Sequence, residues 1–176
     1  MSTQSARTAL DCLSGDTVIF WFVGAGVLAV WNVFHDARFD NRLLIAGLLL
    51  PDIVDAIWGG ARGLHSITGS VVLLVVIMFA TYGRRPIRRR LLAVPIGTFL
   101  HLVFDGAFNN TKVFWWPFTG ASFGGERLPV VERGLVNVVL EIVGVALCVY
   151  AWRIFGLRNA ERRRTFLTPG SLVRTQ

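Results

Sequence analysis

Residues 66–90 read SITGSVVLLVVIMFATYGRRPIRRR: eighteen residues without a charge, then five Arg within seven. An uncharged apolar run of that length approaches the roughly 20 residues that a helix needs to cross a bilayer core. In hydrocarbon the backbone must satisfy its own hydrogen bonds, so such a run is read as a helix. The Arg cluster at Arg84, Arg85, Arg88, Arg89 and Arg90 then marks its cytoplasmic end, because basic loops are retained inside.

Working outward, four more segments share this character: 17–34, 43–58 (interrupted by Asp52 and Asp55), 91 to about 108, and about 134 to 155. A second basic cluster, Arg158 with Arg162, Arg163 and Arg164, follows the last of them. Two segments separate the clusters, so both fall on one side of the membrane. The expected fold is therefore all-α, a polytopic bundle of about five transmembrane helices, with the N-terminus outside and the C-terminus cytoplasmic. It forms a single domain over 1–160, followed by a polar tail over 161–176 that is expected to lack order beyond Arg164. The expected location is the cell membrane, crossed several times.

Composition supports this reading. Of 176 residues, 53% are hydrophobic and 16% charged, with a mean hydropathy of +0.56. Soluble domains carry about 25% charged residues. The net charge of +7 comes from 18 basic and 11 acidic residues, and every basic residue but Lys112 is Arg. Because the Arg clusters are accounted for by topology, the charge does not point to a nucleic-acid partner. Two cysteines, Cys12 and Cys148, make neither a disulfide framework nor a Cys-based zinc site. No cleavable leader is expected, because the first 16 residues are polar.

Ionisable residues inside spans cost about 2.5–3.5 kcal/mol each on insertion scales, so each needs a reason. Here they are Asp52, Asp55, His101, Asp105 and Glu141, with His65 just before the third span. Asp52 and Asp55 are three apart, and His101 and Asp105 four apart, so each pair shares a helix face. At a rise of 1.5 Å per residue, Asp52 and Asp55 lie about 14–18 Å from the cytoplasmic ends and His101 and Asp105 about 15–21 Å. Glu141 lies about 10 Å below the outer end of its span. All six fall in the outer half of the membrane, where one common site is geometrically possible.

Imidazole with carboxylate suits zinc, and also manganese or iron. A divalent ion would offset carboxylate repulsion in a low-dielectric site and would make water a competent nucleophile near neutral pH. A remaining carboxylate could serve as general base. Hydrogen-bonded packing is the bland alternative for each His, and a feature following Pro51 is the alternative for the Asp pair. Glu141 reads as a supporting or proton-linked residue rather than a ligand. His35, at the inner end of the first span, is left out of the site, and Asp36 and Asp40 are taken as a solvated loop.

Taken in order, these pieces resemble a known family. Asp40-Asn41-Arg42 leads into Gly47-Leu48-Leu49-Leu50-Pro51-Asp52-Ile53-Val54-Asp55. Gly63-Leu64-His65-Ser66 follows, then His101-Leu102-Val103-Phe104-Asp105 and Trp116-Pro117-Phe118. The set, over about residues 35–120, resembles the YdjM-like family of small inner-membrane metal-dependent hydrolases. The resemblance implies metal binding by Asp52, Asp55, His65, His101 and Asp105. It also implies a distant likeness to zinc-dependent phospholipase C and P1 nuclease, which cleave phosphoesters. Relatives carry a fuller His-Arg-x-x-Thr-His-Ser segment where this chain has Arg62-Gly63-Leu64-His65-Ser66, and they begin with an earlier His than His35. Fewer His ligands imply one metal rather than several, or a different metal.

The leading expectation is a hydrolase that uses a divalent metal, zinc first, on a lipid-linked ester or phosphoester at the outer leaflet. Asp55 is a further ligand or the base, with Ser66 and Glu141 behind the ligands. Arg62, Asn109, Asn110 and Lys112 are placed to grip a phosphate, a role suited to basic side chains. Trp116, with Trp115 and Phe118, would line the lipid entrance. The competing readings are a small transporter or proton-linked protein using the same polar residues as a path, and a non-catalytic scaffold around a structural metal. A path should continue through the cytoplasmic half, where no comparable polar ladder occurs. The sequence assigns no oligomeric state.

Overall fold

The five apolar segments become the five longest helices among the described residues. A computed structural model describes residues 18–36, 39–58, 63–109, 111–119 and 135–168, and of 55–58 the backbone alone. In order they are α1 (Ile19–Phe34), α2 (Asn41–Trp58), a 3-10 turn (Gly63–His65), α3 (Ile67–Ala80), α4 (Arg85–Leu91) and α5 (Ala93–Asp105). A second 3-10 turn (Ala107–Asn109), α6 (Thr111–Phe114), α7 (Leu135–Ile154) and α8 (Ala160–Leu167) follow. No strand occurs among the described residues, and the fold is all-α.

Local chemistry sets the helix ends. α1 stops where His35 turns left-handed (φ 47°), its N–H donating to the Trp31 carbonyl. α5 stops at Gly106 (φ 68°), a conformation that costs glycine nothing. Asp40 starts α2, its Oδ1 accepting from the Arg42 and Leu43 N–H groups at 3.2 and 3.4 Å. Asp40 is 3% exposed, so it is a buried cap and not the solvated loop residue expected from the sequence. A carboxylate that takes up free N–H groups at a helix start is stabilised by the helix dipole as well. Asp36, the other residue of that loop, is ion-paired with Arg89 of α4. Between α4 and α5 the helix breaks at Leu92, because Pro95 has no N–H to offer Leu91 and its ring crowds that carbonyl. By contrast, α2 runs unbroken through Pro51.

Helices α2 and α5 lie side by side, α1 packs on α2 and α7 on α1, and α3 packs on α5. Small residues let two of these pairs touch backbone to backbone. A Cβ on Gly47 would sit 2.2 Å from the Val94 carbonyl, and one on Gly97 2.5 Å from that of Leu44. At the α1–α7 contact, a Cβ on Gly144 would lie 2.1 Å from the Trp21 nitrogen, and one on Gly24 2.8 Å from the Gly144 carbonyl. Close approach at small residues is how helices associate where lipid removes the hydrophobic drive.

The apolar core, built from Val27, Val30, Leu44, Leu48, Ala93, Ala151, Phe155 and Leu157, sits toward the end of the bundle that carries α4 and α8. This end is tied together by the Asp36–Arg89 pair and by Arg42, whose Nη1 donates to the Leu167 carbonyl at 2.6 Å. Asn159 caps α8, which continues to Leu167, past the point where the sequence suggested order would end. The outward faces of α3 and α7 are almost wholly apolar: Val72, Val76, Phe79, Val139 and Ile142 are each more than half exposed. Among the described residues α7 is the one helix long and apolar enough to cross a membrane, and α1 and α3 are shorter apolar helices.

Candidate metal centre

At the other end of the bundle from the apolar core, three polar side chains meet. Asp52 comes from α2, one residue past the buried Pro51. His101 comes from the last turns of α5, one turn beyond the Gly97 contact. His65 ends the 3-10 turn that leads into α3, and Ser66 shapes this turn. Its hydroxyl donates to the Gly63 carbonyl at 2.6 Å and accepts from the Gly69 N–H at 3.0 Å. Gly69 permits the fold-back, since a Cβ there would lie 2.0 Å from the Gly63 oxygen. The turn is thereby locked onto the first turn of α3, with His65 held inward at 1% exposure.

The donor atoms form a nearly equilateral triangle. His101 Nε2 lies 3.2 Å from His65 Nε2 and 3.3 Å from Asp52 Oδ1, and His65 Nε2 lies 3.6 Å from the same oxygen. A tetrahedral zinc with bonds of about 2.0–2.1 Å holds its donor atoms about 3.3–3.4 Å apart. These residues therefore present one face of such a tetrahedron, and among the described residues they are the group able to hold a metal ion. The donor set fits as well: two imidazoles and one carboxylate make a common set for a catalytic zinc that keeps a position open.

Burial is uneven around the triangle. Both His side chains are 1% exposed, whereas Asp52 is 26% exposed, so the site opens on the side of Asp52. Phe22 of α1 closes the other side. Its ring stacks on the His101 imidazole with centroids 4.2 Å apart and planes 24° from parallel. His101 Nδ1 is buried with no hydrogen-bond partner among the described residues, and Nε2 is the nitrogen that faces His65 and Asp52.

Asp105 is buried one turn beyond His101, but its oxygens do not join the three donor atoms. Four residues of helix keep a side chain on the same face yet advance it about 6 Å along the axis. Asp55 lies in α2 with its side chain outside the described residues, and Arg62 and Asn110 lie outside them entirely. Asn109 and Lys112 are exposed. Trp116 packs on the His65 turn, its ring 3.6 Å from where a Cβ on Gly63 would be. Trp115 and Phe118 are 48% and 82% exposed beside it.

Glu141, expected to support the site, joins two helices. Its carboxylate accepts from the Phe20 N–H at 3.1 Å and from the Trp21 N–H at 3.4 Å, capping α1 from across the α1–α7 contact. The stacking by Phe22 carries no sequence signal, since Phe22 is one aromatic among several in an apolar helix. His35 lies exposed at the end of α1, away from the site.

No family model matches this chain, and no curated protein or solved structure matches it.

Proposed function

We propose that this chain is a membrane-embedded, metal-dependent hydrolase that acts on a lipid-linked ester or phosphoester at the extracytoplasmic leaflet. The observation that carries the reading is the triangle of Asp52 Oδ1, His65 Nε2 and His101 Nε2. The resemblance of the same residues to the YdjM-like family supports it. Five spanning helices, with α4 and α8 cytoplasmic, suit the apolar outward faces and the Arg-rich end tied by Asp36–Arg89. The engagement of Glu141 as a helix cap removes one member of any polar path, which favours a hydrolase over a transporter.

Asp52, His65 and His101 are the residues that hold the metal. When bound there, a divalent ion supplies Lewis-acid activation of a water near neutral pH. The two histidines exclude solvent from their side, so substrate enters past Asp52. Asp55, one turn further along α2, serves as the general base that accepts the proton of the attacking water. Lys112, Asn109, Asn110 and Arg62 suit a phosphate by charge and hydrogen bonding, and Trp116 orders the turn that carries His65.

The test is elemental analysis of protein purified without added metal, followed by turnover of phospholipids and polyprenyl phosphates. About one zinc per chain in wild type, and none in His101→Ala, is the expected result. A wild-type protein without stoichiometric metal would overturn the proposal.

A further inference from the structure

Helix α7 contributes no side chain to the metal triangle, yet it bears on it through one contact after another. The first turn of a helix leaves N–H groups without intrahelical acceptors. At the start of α1, Phe22 N–H reaches the Val18 carbonyl at 3.3 Å, and Glu141 accepts from the Phe20 and Trp21 N–H groups just before it. The carboxylate can reach them because Gly144, three residues on, lets the two backbones touch. A further contact fixes the same turn: the Cys148 thiol donates to the Phe20 carbonyl at 3.6 Å. Phe22, next along this turn, is 2% exposed and lies face to face with His101.

We infer that Glu141 and Phe22 are positioning residues for the metal centre, with Glu141 holding the first turn of α1 so that the Phe22 ring sets the plane of the His101 imidazole. This inference rests on the metal-centre reading only for its consequence in metal affinity. The contact between Phe22 and His101 is a property of the fold itself. Among the described residues His101 Nδ1 has no hydrogen-bond partner of the kind that usually orients a ligating imidazole, and the stacked Phe22 ring takes that part. Apart from Phe22, the ring is oriented by its own helix and by the groups it meets at Nε2.

Two measurements on the full chain in nanodiscs decide it: the ring carbon and proton shifts of 13C-labelled His101, and zinc affinity. A stacked phenyl ring shields the imidazole, so Phe22→Leu should move the His101 signals downfield, and Phe22→Tyr should leave them near wild type. Glu141→Leu should shift them in the same direction as Phe22→Leu, and Glu141→Gln, which keeps an accepting oxygen, should restore most of the difference. Zinc affinity should fall about tenfold or more in both Leu variants, as for loss of a group that orients a ligand. Unchanged His101 shifts in Glu141→Leu, with helix content retained, would overturn the inference even if its melting temperature dropped. If wild type bound no zinc, the proposed function would fail, and the His101 shifts would still decide whether Glu141 acts through Phe22.

Discussion

His65 and His101 aim the same ring nitrogen, Nε2, at each other across 3.2 Å, although 36 residues separate them in the chain. One arrives on a 3-10 turn and the other on α5, and Asp52 of α2 stands within 3.6 Å of both. With no ion between them, one ring must donate to the other nitrogen or to the carboxylate, while a bound cation lets both lone pairs face inward.

A cation that binds only the folded chain stabilises it by mass action, by about 2.7 kcal/mol at a hundredfold excess over Kd. Zinc should therefore raise the melting temperature of wild type in detergent, and a chelator should reverse the rise. His65→Ala and His101→Ala should show no such response. An equal rise in the variants would place the ion elsewhere.

The ligands themselves can be sorted by substitution. Asp52→Ala, His65→Ala and His101→Ala should each lose bound metal, whereas Asp105→Ala should keep it, because Asp105 is not one of the three residues that form the triangle. Elemental analysis of the four proteins side by side gives the answer. Complete loss in Asp105→Ala would extend the coordination shell one turn along α5.

The α2–α5 contact has no room for a methyl group. Gly97→Ala would put a Cβ 2.5 Å from the Leu44 carbonyl, and overpacking of this kind costs about 1–3 kcal/mol. Because both helices carry a ligand, zinc affinity should fall along with thermal stability. Gly83→Ala is the control: nothing lies within 4 Å of its Cβ position, and φ is +78°. It should lose about 1 kcal/mol from backbone strain alone and leave zinc affinity intact.

Orientation can be read with single cysteines in a Cys12→Ser, Cys148→Ser background. Phe118→Cys should react with a membrane-impermeant maleimide in intact cells, and Ile87→Cys only after lysis. Both side chains are well exposed, at 82% and 47%. The opposite labelling pattern would invert the bundle and put the site on the cytoplasmic side.

Much of this was legible in the residues. Asp52, His65 and His101 stand out because ionisable groups are conspicuous within apolar runs, and counting residues from the Arg clusters put them at one depth. The helix positions followed from the same contrast. What periodicity cannot supply is distance across the bundle. It places His101 and Asp105 on one face, and the three donor atoms that come together include that of His101 and none of Asp105. Asp40 read as loop because it precedes a helix in a polar stretch, and only the fold shows it buried beneath the α2 N-terminus. The capping by Glu141 joins residues about 120 positions apart, and the Gly47 and Gly97 contacts join two separate helices. Both depend on tertiary approach, which leaves no local pattern.

The contact of Gly47 and Gly97 has a mechanical meaning. Gly47 meets Val94, Gly97 meets Leu44 and Leu48, and Asp52 meets His101, so the two helices run parallel and diverge little between contact and site. Asp52 and His101 sit five and four residues past their glycines, on lever arms of about 6–8 Å. With arms that short, a 5° rocking of one helix on the other displaces a donor atom by only about 0.6 Å. The pivot thus makes the triangle stiff against rocking and bending of the two helices, and a ligand set carried farther from it would drift with every such fluctuation.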